Sequence, residues 1–232
     1  MQLNYMESGV KNTDKITGKG KQVYCRKKCL QIAWRSSHLH NANKKETEEE
    51  NIVMKYVIIG AGGTGGILGF YMTKAEKDVT LIARNAHLAA MKEQGLTVRH
   101  LWDGTTETVP VKAENMETYE SMIASAGEAA KPDVILVCVK GYSLDNTVPF
   151  IQKIAKKSTI VIPILNIYGT GSRLQKKLPE LLVTDGCIYV SANIEGPGVL
   201  VQHGKILRVV FGVREKSEFR EELKEIAKDF SD

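Results

Sequence analysis

Residues 55–66 read "KYVIIGAGGTGG". Tyr56 to Ile59 form a short, continuous apolar run, the pattern of a strand covered on both faces. Gly60, Gly62 and Gly65 then fit G-x-G-x-x-G, with Ala61, Gly63 and Thr64 completing the turn. Gly60 permits a tight exit from the strand, Gly62 lets backbone approach a pyrophosphate, and Gly65 lets the next helix lie close to the sheet. That helix is predicted from about Thr64 to Ala75, with its amides and positive dipole end turned toward the phosphates. A ligand-free glycine turn is the alternative. The context favours a dinucleotide, because a strand precedes the turn, a helix follows it, and a second strand, "DVTLIA", occupies 78–83.

The end of that second strand selects the cofactor. A carboxylate there would accept hydrogen bonds from a ribose 2′-hydroxyl; the chain instead runs Ala83-Arg84-Asn85. A guanidinium pairs with a 2′-phosphate, so Arg84 points to NADP(H) over NAD(H), against the plainer reading of a solvated surface arginine.

Further along, "HLAAMKEQG" reads as a short helix closed by Gly95. "LTVRHLW" and "TTETVPVKA" read as strands around the turn "DGT". "METYESMIASA" and "NTVPFIQKIAKK" read as helices, and "DVILVCVK" and "STIVIPIL" as buried strands. The alternation predicts an α/β fold, a Rossmann-like domain with a mostly parallel sheet. Ligands in such sheets sit beyond the carboxyl ends of strands. Lys140 occupies such an end and is either an exposed lysine or a contact for cofactor phosphate, ribose or an acidic substrate. Asn166 follows "VIPIL" and either forms a local turn or hydrogen-bonds a nicotinamide ribose or substrate oxygen.

The 232 residues suffice for a sizeable core; 43% are hydrophobic and 25% charged. The net charge of +5 is concentrated in residues 1–53, where ten Lys/Arg face six Asp/Glu. The remainder is nearly balanced, which gives no electrostatic ground for nucleic-acid binding. Residues 1–53 are polar and lysine-rich, a composition that cannot offset its ordering entropy. They are expected to be a disordered basic extension. Met54 directly before "KYVIIGAGG" admits another reading, a non-native extension from a misassigned start codon. Cys25, Cys29, His38 and His40 are candidate zinc ligands, but "HLH" is too short for the usual histidine spacing, so no metal is expected. Cys138 and Cys187 lie in strand-like runs as ordinary buried thiols. No apolar stretch reaches the roughly 18–20 residues of a membrane span, and the expected compartment is the cytoplasm.

Taken together, "IIGAGGTGG", "VTLIARNAHLAAMKEQGLTV", "DVILVCVKGY", "ILNIYGTGSRL" and "SANIEGPGVLVQHGKILRVVFG" resemble the ketopantoate reductase (2-dehydropantoate 2-reductase) family in order and spacing over residues 54–232. The resemblance implies NADPH-dependent reduction of 2-dehydropantoate to pantoate, in pantothenate biosynthesis. It implies that Gly60 to Gly65 cradle the pyrophosphate and Arg84 meets the 2′-phosphate. Lys140 and Asn166 would lie near ribose and nicotinamide, Asn166 also touching substrate, and Ala192 would line the cleft. Two departures stand out. The family pattern "QNGVG" is here Leu165-Asn166-Ile167-Tyr168-Gly169, placing a branched side chain where the family has glycine. The family's helical domain, with its general-acid lysine, has no counterpart before Asp232, so the expectation is a truncated reductase with no catalytic residue of its own. The alternative is an inactive NADP-binding remnant or nucleotide-sensing module. The expected partner is a small-molecule 2-oxoacid, with a homodimer left open.

Overall fold

The computed structural model describes residues 32–33 and 53–231. In chain order the strands and helices are β1 (Ile32–Ala33), β2 (Lys55–Ile59), α1 (Gly63–Lys74), β3 (Asp78–Ile82), α2 (Asn85–Gln94), β4 (Leu96–His100), β5 (Thr106–Val109) and β6 (Lys112–Glu114). There follow α3 (Met116–Ala126), β7 (Val134–Val137), α4 (Val148–Ile154), β8 (Ile160–Pro163), α5 (Thr170–Lys177) and β9 (Leu182–Val183). The chain continues through β10 (Asp185–Tyr189), β11 (Ala192–Gly196), β12 (Val199–Gln202), β13 (Arg208–Gly212) and α6 (Glu222–Asp229).

Among the described residues the largest sheet is parallel throughout, in the order β6-β3-β2-β7-β8-β9. Its strands run outward from β2 to one edge and then from β7 to the other. The switch point between β2 and β7 is where a doubly wound sheet opens a crevice. Both β7, Val-Ile-Leu-Val, and β8, Ile-Val-Ile-Pro, are buried along their whole length. Alternate residues of β2 feed two cores. Tyr56 and Ile58 join one with α1 and α6, while Val57 and Ile59 join the other with α3, α4 and α5.

Helix α1 lies between two sheets. One side packs on β2 and β3 and the other on the second sheet, β11-β12-β4-β5. Burial on both sides explains a helix sequence, Gly-Thr-Gly-Gly-Ile-Leu-Gly-Phe, that is small or apolar nearly all round. Helix α2 stops at Gly95, whose φ of 83° suits glycine, as the sequence predicts. Asn115 Oδ1 caps α3 by accepting from the Thr118 amide at 2.7 Å.

One segment departs from expectation. "TTETVPVKA" is not a single strand: β5 pairs antiparallel with β4 in the second sheet, whereas β6 pairs parallel with β3 in the main one. Pro110 lies between them and has no N–H to continue a ladder, so the chain changes sheets there. The second sheet and the antiparallel β1-β13-β10 sheet add to the expected parallel core. Helix α6 closes the α1-side core through Leu223, Ile226 and Phe230. Phe230 meets Phe211 edge-on at 5.8 Å, and the Tyr56 hydroxyl donates to Asp229 at 2.5 Å.

From the basic segment, residues 32–33 pair with Phe211 and Val210 of β13. Cys25, Cys29, His38, His40 and the expected disorder of the rest of residues 1–52 lie outside the described residues. Among the described residues no helix is long and apolar enough to cross a membrane, and no cluster of His, Cys, Asp or Glu is set to hold a metal.

Candidate functional site

Four strands of the main sheet deliver the predicted residues to one rim. From β2 the chain turns at Gly60, whose φ of 101° is a conformation glycine adopts without penalty. The Gly60 amide donates to Ile82 O at 3.1 Å and the Cys138 amide to Ile59 O at 2.9 Å, so the ends of β2, β3 and β7 are fastened together. Ile164 N donates to Val137 O at 2.8 Å and adds the end of β8. Arg84, Lys140 and Asn166 thus emerge beside the glycine turn, on the carboxyl side of the sheet.

The turn has the shape the motif requires. A Cβ on Gly65 would collide with Gly60 O and come within 2.8 Å of Cys138 Cβ, so close packing of α1 depends on its absence. A Cβ on Gly62 would meet nothing within 4 Å; that residue faces open space. Helix α1 begins there without a side-chain cap and with no acidic residue in its first turn. Among the described residues the Gly62 N–H has no acceptor. Uncapped amides at the positive end of a 12-residue helix, beside an open approach, suit a diphosphate. Ala192 forms one wall: its carbonyl carbon lies 2.8 Å from where a Cβ on Gly63 would stand.

Arg84 occupies the N-cap position of α2, its carbonyl accepting from Leu88 N at 3.3 Å; its side chain is exposed and makes no hydrogen bond or ion pair among the described residues. Glu114, on the neighbouring strand, is held by Lys92 Nζ at 2.6 Å, leaving no free carboxylate at the strand end to receive a ribose hydroxyl. The Lys140 side chain is likewise exposed and makes no hydrogen bond or ion pair among the described residues. Desolvation pushes the neighbouring Cys138 thiol up to about 12, so it stays protonated near neutrality.

Asn166 is more committed than the sequence suggests. Its Nδ2 donates to Ile188 O at 2.9 Å and its Oδ1 accepts from Ile188 N at 3.1 Å, joining the end of β8 to β10. One N–H and one lone pair remain for a ligand. Ile167, 52% exposed, rests over Gly141: its Cδ1 is 2.5 Å from where a Cβ on Gly141 would stand. The branched residue is therefore accommodated by the glycine after Lys140. Tyr142 and Tyr168 stand 84% and 83% exposed on the same two loops.

Sequence reasoning did not single out His87. Its Nε2 lies 2.9 Å from Ala61 O, and its Nδ1 accepts from Gly198 N at 2.9 Å. The only signal was a histidine three residues after Arg84, in the first turn of the helix leaving the second parallel strand.

The fold is that of a Rossmann-like domain, and this rim has the glycine turn characteristic of that class. Residues 56–216 match the family model for Ketopantoate reductase PanE/ApbA. The chain belongs to that family. Among curated relatives, it is 26% identical over 159 residues to YkpB, an oxidoreductase of uncharacterised activity from Bacillus subtilis strain 168, covering 68% of this chain and 48% of that protein. It is 29% identical over 180 residues to the 2-dehydropantoate 2-reductase of Pyrococcus horikoshii, covering 74% and 52%. Among solved structures, the PanE/ApbA family ketopantoate reductase of Ralstonia eutropha JMP134 aligns with a TM-score of 0.57 at 28% identity, over 65% of this chain and 47% of that one. A D-mandelate dehydrogenase in ternary complex with NADH and anilino(oxo)acetate aligns with a TM-score of 0.62 at 25% identity, over 77% and 54%. The chain spans about half the length of the curated relatives it matches.

Proposed function

We propose that this chain is the cofactor-binding part of an NADP(H)-dependent 2-oxoacid reductase, acting on 2-dehydropantoate to give pantoate. One observation carries the reading: the open Gly62 approach, the uncapped start of α1 and the unpaired guanidinium of Arg84 share one rim at the sheet's switch point. NADPH, when bound, supplies the hydride. The chain's own work is to hold it. The first amides of α1 take the diphosphate, Arg84 takes the 2′-phosphate, and the Ala192 backbone walls the cleft. Lys140 and the remaining N–H of Asn166 face the ribose and the substrate side. The D-mandelate dehydrogenase was solved with NADH; the ground for NADP(H) in this chain is Arg84 at the strand end, where a 2′-hydroxyl would instead call for a carboxylate.

Reduction of a ketone also consumes a proton, and a placed donor contributes about 10²–10⁴-fold. We assign no such donor within these residues. Ile167, half exposed over Gly141 where the family pattern has glycine, favours a second reading, a nucleotide-binding module without turnover. NADPH oxidation with 2-dehydropantoate separates the two. The 232-residue chain is assayed alone and with the other half of a full-length relative supplied in trans. The proposal expects slow turnover alone and a rise on complementation. No turnover in either arm, with NADPH bound, supports the second reading. Fast turnover by the chain alone would make Lys140 the proton donor.

A further inference from the structure

We infer that His87 is a positioning residue for the dinucleotide turn, a neutral latch that aims the Gly62 N–H into the site. The inference rests on the nucleotide-binding reading above. Both partners of the ring are backbone groups of fixed character. Gly198 N–H can only donate, so Nδ1 must be its acceptor; Ala61 C=O can only accept, so Nε2 must carry the hydrogen. The two bonds therefore select one neutral tautomer, and neither partner can exchange roles.

The consequence for the turn follows from peptide geometry. The Ala61 carbonyl and the Gly62 N–H belong to one planar trans unit and point in opposite directions. Holding the carbonyl on His87 turns the Gly62 N–H away from α2, and that N–H has no acceptor among the described residues. The latch spans three parts of the chain, the glycine turn, the start of α2 and the turn entering β12, with partners 26 and 111 residues from His87. Because Arg84 caps the same helix, His87 also fixes the diphosphate turn relative to the proposed 2′-phosphate contact.

The test uses three variants of the full chain. His87→Ala removes both bonds. In His87→Gln the amide sits near the Nε2 position and can donate to Ala61 O. In His87→Asn it sits near the Nδ1 position and can only keep Gly198. NADPH affinity is measured by titration, and amide exchange over residues 66–69, the first hydrogen-bonded amides after the turn, by mass spectrometry without nucleotide. The alanine and asparagine variants are expected to bind about five- to tenfold more weakly and to exchange faster. The glutamine variant is expected to restore most of both. If the alanine variant does not fold, the glutamine–asparagine contrast decides alone. Unchanged affinity and exchange across the series would overturn the inference, as would rescue by asparagine but not glutamine. If the wild type binds no nucleotide, the cofactor reading fails by itself, and exchange still decides the latch.

Discussion

Replacing Arg84 by alanine should separate the two nicotinamide nucleotides. The Arg84 side chain is exposed and makes no hydrogen bond or ion pair among the described residues, so truncating it removes no internal polar contact. The thermal midpoint should stay where it is, since surface changes of this kind usually fall within about 0.5 kcal/mol. Binding is different. A hydrogen bond to a charged group contributes about 1.5–3 kcal/mol. An exposed guanidinium is well hydrated before it meets a phosphate, which places the expected loss near the lower end, about 1.5 kcal/mol or roughly tenfold in Kd. NADH lacks the 2′-phosphate and should bind wild type and variant alike. The contrast should shrink with added salt, because the pair forms at the surface. The assay is a fluorescence titration of both proteins with both nucleotides, at low and high ionic strength. Equal loss of NADPH and NADH affinity, or no loss of either, would refute the assignment of Arg84.

Other substitutions test the architecture. Gly65→Ala should destabilise the fold by about 1–3 kcal/mol in thermal melts and abolish nucleotide binding, because its Cβ meets backbone rather than a yielding side chain. Asn166→Asp cannot donate to Ile188 O, and should cost about 1–3 kcal/mol in denaturant melts. Burial pushes the phenols of Tyr71 and Tyr119 up to about 12, and burial with Asp229 raises Tyr56 as well. Unfolded tyrosines ionise near about 10, so above that pH the unfolded chain releases protons the folded chain keeps; stability should fall as pH rises, less steeply in Tyr56→Phe. A chain beginning at Met54 should retain NADPH affinity, because residues 32–33 pair with β13, in a different sheet from the strands that lead to Gly60, Arg84 and Lys140; a large loss on titration would make the basic segment part of the site.

The main sheet is legible in the sequence because each of its central strands is buried on both faces, which leaves uninterrupted runs such as Val134 to Val137 and Ile160 to Pro163. The glycine turn is legible because backbone geometry demands glycine at Gly60 and close packing demands it at Gly65. The sheet change at Pro110 is harder to read, since "TTETVPVKA" alternates like one strand and only the missing N–H marks the break. The antiparallel pairing of β10 with β13 depends on contacts distant in the chain, which local pattern does not encode. The same holds within the site. Asn166 is visible as a polar residue at a strand end, but not its two hydrogen bonds to the Ile188 backbone, 22 residues on. His87 reads as one more polar residue of a short helix until the fold brings Ala61 and Gly198 to its ring.

The most direct measurement is calorimetric titration of the 232-residue chain with NADPH, followed by hydrogen exchange of the complex. The account predicts saturable one-to-one binding, with new protection over residues 60–66 and around Arg84, and weaker binding of NADH. Absence of binding, or binding that leaves residues 60–66 unprotected, would contradict it.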